Sequence, residues 1–395
     1  MDTITLNKPR IQSIDLLRGL VMVIMALDHT RDFFHADAFS FDPTDLSKTS
    51  FVLFGTRWIT HFCAPIFMFL SGTSAFISGQ KKTKKELSLF LLKRGLWLIF
   101  LELTIVGFGW SFDIHFNHLD FLVIWALGAS MIALSVFVWL PFKAILFIGL
   151  LLVCGHNLLD NVHVHGNNLK AFAWSLLHEQ GGFSFKGISV FVMYPIMSWI
   201  GVMALGYCLG SLYAKDQMGI GFDAAKRKKI LVRLGLSVIA FFIVLRFSNL
   251  YGDAALWSTQ PNAAFTFLSF LNTTKYPPSL LYITMTLGPA LLFLAYSENI
   301  ANGFSNFFKV FGRVPMFYYL CHLYLIHIAA LASALFIQGF KASNFTNDGP
   351  PPGYGYNLGI VYLVWVLIIL ALYLPCKWYD KYKTNHRDNK WLSYL

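Results

Sequence analysis

Ten apolar runs, each long enough to reach across a bilayer, leave this chain few ways to fold. They fall at about 16–34, 58–79, 90–111, 121–140, 143–159, 187–212, 229–247, 279–297, 314–337 and 357–376. Backbone N–H and C=O groups at bilayer depth must be satisfied within the protein, and runs of this length do so as helices. The predicted fold is an all-α polytopic membrane protein with ten to eleven transmembrane helices, the 143–159 run being the weakest. Charged residues make up 13% of the chain, against about 25% in soluble domains. No linker or insertion is long enough to fold alone, so residues 1–395 are expected to form a single integral-membrane domain.

The basic residues orient the runs. With the N-terminus inside, the cytoplasmic side receives Lys8, Arg10 and Arg18, the Lys81–Arg94 group, Lys143, the Lys215–Arg233 group, Lys309, Arg313 and the Lys377–Lys390 group. That is 23 of the 31 Lys and Arg residues, a strong positive-inside bias that predicts both termini in the cytoplasm. The net charge of +11 then reads as topology and attraction to anionic membrane lipids, and nucleic acid is not expected as a partner. The first run lacks a small-residue cleavage site and reads as a retained helix. Outer loops are expected at 35–57, 112–120, 160–186, 248–278 and 338–356, the last with the Asn347–Gly353 turn. No internal repeat is strong enough to propose the inverted symmetry of many transporters.

Within the first run the apolar pattern gives way to ionisable groups. Asp28, Arg31, Asp32 and His35 share one helical face, and His29 lies beside it. Ionisable groups at bilayer depth are costly and usually functional, so the stripe is expected to line a cavity. Arg31 can pair with Asp28, and Asp32 can reach His29 or His35, each three residues away. A carboxylate there would orient an imidazole as a general base. A mutually satisfied polar network that only holds helices together is the plainer alternative. Trp58 and His61 in the second run fall at the same depth, and the loop after the third adds Asp113, His115, His118 and Asp120. At the inner boundary Arg18, Lys93 and Arg94 are suited to a phosphate-bearing ligand, although topology alone also accounts for them.

Metal and thiol chemistry have weaker support. His115 with His118, and His156, His163, His165 and His178, have chelating spacings but lack placed thiolate or carboxylate partners, so no metal is expected. The five cysteines show no paired spacing, and Cys63, close to His61, reads better as a small apolar side chain than as a nucleophile.

Ser13-Ile-Asp15-Leu-Leu-Arg18-Gly19, followed by Asp28-His29, resembles the start of the heparan-α-glucosaminide N-acetyltransferase catalytic domain. Trp58-Ile-Thr-His61-Phe-Cys-Ala64-Pro65 is similar to its second helix. The blocks at Tyr194-Pro195, Lys275-Tyr276-Pro277-Pro278 and Gly312-Arg313-Val-Pro315 look like those of bacterial members. The resemblance implies a transmembrane acyltransferase-like bundle in the bacterial inner membrane. It also implies transfer of acetyl from cytosolic acetyl-CoA to an amino sugar or glycan on the outer side. By counting from the shared Arg-Gly, the family's catalytic asparagine falls on His29, and its histidine corresponds to His35 across a gap, the spacing being shorter here. The expected catalytic set is then His29, His35, Asp28, Asp32 and Arg31, with Arg18, Lys93 and Arg94 toward CoA and His61, Trp58 and Asp113 toward the acceptor. A proton-coupled transporter or flippase for a polar or lipid-linked solute is the rival reading. A homodimer is compatible with the sequence.

Overall fold

The computed structural model describes residues 11–214, 222–337, 339, 353–386, 389 and 392. Lys8, Arg10, Lys215, Arg387, Lys390 and most of the turn expected at 347–353 lie outside the described residues. The chain is mostly helical. It begins with α1 (Gln12–Phe34), α2 (Phe51–Thr60), α3 (Cys63–Gly79) and α4 (Lys84–Leu101). A π-helical turn, Glu102–Val106, leads into α5 (Gly107–Ser111) and the short strand β1 (His118–Phe121). Then come α6 (Val123–Phe137), α7 (Phe142–Gly155), α8 (Leu169–Leu177), β2 (Gly181–Phe185), β3 (Ile188–Val192) and α9 (Met197–Leu209). The remainder is α10 (Ala224–Ser248), α11 (Ala263–Leu271), α12 (Leu280–Ser297), α13 (Gly303–Arg313), α14 (Pro315–Phe336) and α15 (Leu358–Asn385).

Each of the ten predicted runs contains a helix, but among the described residues six stretches are long and apolar enough to cross a membrane. These are Phe51–Gly79, Phe142–Leu159, Ala224–Ser248, Leu280–Ser297, Pro315–Phe336 and Leu358–Asn385. Helix α1 is long but carries Asp15, Arg18, Asp28, Arg31 and Asp32, and α4 carries Lys84, Lys85, Glu86, Lys93 and Arg94. Val123–Phe137 and Met197–Tyr213 are apolar but shorter.

The all-α expectation needs amending, because β1, β3 and β2 form a small sheet in that spatial order. Strand β1 runs parallel to β3 with His118 opposite Ser189, and β2 runs antiparallel with Gly181 opposite Val192. Lys186 and Gly187, both at positive φ, make the tight turn between β2 and β3. Phe183, Val190 and Val192 bury one face of the sheet against Ala171 of α8. The predicted 187–212 run therefore starts as a strand and becomes helical only at Met197. The 58–79 run is also interrupted, since α2 stops at Thr60 and α3 starts at Cys63.

Helix α1 is buried nearly all round, packed against α2, α3, α12, α13, α14 and α15. Close crossings hold it there. A Cβ on Gly312 would lie 1.9 Å from the Asp15 carbonyl oxygen, and one on Gly19 would lie 1.9 Å from that of Phe308. Small residues let backbones approach in this way, which suits helices that gain little from hydrophobic association in lipid. Helix α3 crosses α9 equally closely, through Gly72 and Gly206. Helix starts are capped by local chemistry: Thr83 and Glu86 form a capping box on α4, and Ser279 caps α12. The α6 start is satisfied from a distance, where the buried Glu102 carboxylate accepts the Trp125 N–H at 2.8 Å.

Candidate functional site

A cavity of about 1000 Å³ lies along α1. One part of its wall carries Arg18, Arg94, Arg313 and Lys383, and another carries Asp28, His29, Arg31 and His35. Ser71, Ser74 and Ser78, one face of α3, add hydroxyls toward the first group. Met22, Met25 and Met68 line the wall as well and give it an apolar stretch.

The basic group is braced by carboxylates and carbonyls. Arg18 donates to Ser74 Oγ at 2.8 Å and to the Gly312 carbonyl at 3.2 Å, and lies 3.5 Å from Asp15. Arg313 pairs with Asp380 at 3.3 Å and with Asp15 at 3.8 Å. Of the three residues expected here, Arg18 and Arg94 line the cavity, whereas Lys93 is exposed on α4. Arg313 and Lys383 join from the far end of the chain.

At the other group, Asp28 is held by three cations. Arg57 Nη1 donates to its Oδ2 at 2.5 Å, Arg31 Nη2 lies 3.1 Å from Oδ1, and Lys275 Nζ lies 3.8 Å from Oδ2. The Asp28–Arg31 pair is the one the helical spacing suggested. Asp32 instead pairs with Arg31 at 2.5 Å and orients neither imidazole, because a guanidinium outcompetes a neutral ring for a carboxylate. His29 finds its partner on α14: its Nδ1 lies 2.8 Å from His322 Nε2, and His322 Nδ1 lies 2.9 Å from the Tyr318 carbonyl. The His29 ring stands edge-on to Trp110 at 4.9 Å. His35 lines the cavity further along and accepts the Asp37 N–H at 3.3 Å.

Lys275 reaches the site from a strapped loop. The Asp253 carboxylate accepts from the Ala255 N–H, the Thr274 N–H and hydroxyl, and the Ser279 hydroxyl, at 2.6–2.9 Å. Arg246, 1% exposed, donates to the carbonyls of Ala255, Ser269, Phe270 and Asn272. Buried charges satisfied this fully fix the backbone around them. Lys275 itself is 8% exposed, lines the cavity and makes no hydrogen bond among the described residues.

Three expected acceptor residues point elsewhere. Trp58 packs on the apolar cluster of Phe242, Leu281 and Met285. His61 is buried edge-on to Tyr282 at 5.4 Å. Asp113 holds a turn by accepting the N–H groups of His115 at 2.8 Å and Asn117 at 2.9 Å. The cavity receives His118 and Asp120 instead, paired at 3.0 Å on β1. Burial pushes the Asp120 carboxyl above the usual carboxylate range, and His118 offsets part of that rise. His163 pairs with Glu179 at 2.8 Å and His178 with Asp160 at 3.3 Å. Among the described residues no group of three or more His, Cys, Asp and Glu is arranged to hold a metal ion. Cys63 lines the cavity with its thiol donated to the Val21 carbonyl at 3.3 Å.

Sequence reasoning missed Arg57, Lys275 and His322. The available signal was weak: an arginine among the expected outer residues, a lysine before Tyr276-Pro277-Pro278, and two imidazoles in the apolar α14 run. No curated protein matches the chain. Residues 10–247 match the family described as Heparan-alpha-glucosaminide N-acetyltransferase, catalytic, while Lys275, Arg313 and His322 lie beyond that segment. The match covers more than half of the sequence, and the chain belongs to the heparan-alpha-glucosaminide N-acetyltransferase catalytic-domain family.

Proposed function

We propose that this protein moves an acetyl group from acetyl-CoA, taken up on the cytoplasmic side, to an amino sugar or glycan acceptor on the opposite side of a bacterial inner membrane. The supporting observation is that a single cavity touches both the basic cluster and His29. Arg18 and His29 are eleven residues apart on α1, roughly 16 Å at a rise of 1.5 Å per residue, within reach of an extended pantetheine arm. The basic end, with its serine hydroxyls, suits the phosphates of CoA, and the methionines beside it suit the arm. When bound, acetyl-CoA supplies the activated acyl carbon as a thioester.

His29 serves as the general base. Its Nε2 takes the proton from the attacking amine or hydroxyl as the new C–N or C–O bond forms, and returns it to the departing sulfur as the C–S bond breaks. Lys275, whose contact with Asp28 is the longest of the three at 3.8 Å, brings positive charge to the same space and steadies the carbonyl oxygen as it becomes anionic. Asp28 and Asp32, bound by Arg31 and Arg57, offset two of the three cationic charges that include Lys275 and leave one net positive charge for that oxygen. His118 and Asp120 take the acceptor side of the cavity, with the aromatic rings of Phe33 and Trp110 nearby. The whole chain is one catalytic unit, since residues from both its ends meet in the cavity.

His29→Ala tests this reading. In purified protein it is expected to lower acetyl transfer to a panel of amino sugars by about a hundredfold or more, while CoA still raises thermal stability. Full transfer by the variant would sink the proposal.

A further inference from the structure

His322 is fully buried on α14, in a run with no charged side chain from Pro315 to Phe336. Its two ring nitrogens have different partners. Nδ1 lies 2.9 Å from the Tyr318 carbonyl oxygen, which can only accept, so this nitrogen carries a hydrogen. A second ring proton would make a buried imidazolium, and among the described residues no carboxylate pairs with His322. An unpaired charge in that setting is costly, which favours the neutral ring with a bare Nε2. That Nε2 lies 2.8 Å from His29 Nδ1. His29 must therefore donate through Nδ1, and its own Nε2 keeps a lone pair. This Nε2 makes no hydrogen bond among the described residues, and His29 lines the cavity.

We propose that His322 is a positioning residue that locks His29 in its Nδ1–H tautomer and so makes Nε2 the base. The inference rests on His29 being the catalytic base. Neighbouring rings fix the geometry: Tyr318 stacks on His322 at 5.0 Å, Tyr319 meets it edge-on at 5.5 Å, and Trp110 stands against His29. With the opposite tautomer, His29 would present an N–H to the attacking amine and no lone pair to receive its proton. When Nε2 gains that proton, the Nδ1–H of His29 becomes a stronger donor, and His322 Nε2 is already in place to accept. The proton then leaves Nε2 for the thiolate sulfur, and both rings return to their starting state. A carboxylate performs this orienting task in hydrolase triads. A neutral imidazole does it without adding a charge at bilayer depth, where charges are expensive.

The test combines two readouts on the full-length protein in detergent. NMR of isotopically labelled histidine, with His29→Asn to identify the signal, reports the tautomer of His29. Wild type is expected to hold the hydrogen on Nδ1, and His322→Phe to lose that preference. His322→Phe should also lower kcat by about a hundredfold or more while leaving KM for acetyl-CoA within about twofold. His322→Gln, whose side-chain oxygen can accept from His29, should recover at least about tenfold of the lost kcat and restore the tautomer. It also covers the case in which the phenylalanine variant fails to fold. A hydrogen on Nε2 of His29 in wild type, or unchanged kcat in both variants, overturns the proposal. Should the protein transfer no acetyl at all, that result counts against the acyltransferase reading, and the tautomer measurement alone decides the role of His322.

Discussion

Lys275 is the residue whose surroundings least explain it as a structural element. Its ammonium sits 3.8 Å from a carboxylate that already binds two arginines, and it faces a cavity. Lys275→Met keeps most of the side-chain volume and removes the charge. It is expected to reduce kcat by about a hundredfold, with Asp28 still held by Arg31 and Arg57, as steady-state kinetics would register. At this scale the sequence was partly legible. Charges inside an apolar helix announced the site, and the three-residue spacing gave the Asp28–Arg31 pair. The same spacing also allowed Asp32 to reach an imidazole, but an adjacent guanidinium holds it. The partner of His29 was illegible because it is 293 residues away, and only helix packing decides which imidazole arrives.

Among the elements, the α1–α13 crossing carries the most. Gly312 lets α13 approach until its backbone touches that of α1, and its carbonyl accepts from Arg18. Gly312→Ala would push a methyl to 1.9 Å from the Asp15 carbonyl oxygen, which neither helix can accommodate without shifting. The variant should lose about 1–3 kcal/mol of stability, visible as a lower unfolding midpoint in detergent, and should weaken CoA binding as Arg18 shifts. Gly55, where an added Cβ would meet nothing within 4 Å, is the matched control in which alanine should be tolerated. Helices were the readable elements because long apolar runs have few other options. The β2–β3 hairpin was not, because a short apolar run looks alike as a buried strand or the start of a helix. The break at His61 was equally hidden, and so was the facing of α2, which turns Arg57 and Thr60 toward the cavity and Trp58 and His61 away from it.

For the whole molecule, the proposed donor end predicts linkage between CoA and stability. Saturating CoA, at about a hundred times its dissociation constant, should stabilise the folded protein by about 2.7 kcal/mol and raise its unfolding temperature. Combining Arg94→Gln with Arg313→Gln should weaken that response, whereas Lys48→Gln, on an exposed loop, should leave it intact. Absence of any CoA response in wild type would favour a transporter. The meeting of distant chain segments also bears on biogenesis. His29 emerges from the ribosome almost 300 residues ahead of Arg313 and His322. Under the proposed mechanism, a nascent chain halted before α14 would hold His29 without the neighbour that sets its hydrogen, so acetyl transfer is expected only once α14 has packed beside α1.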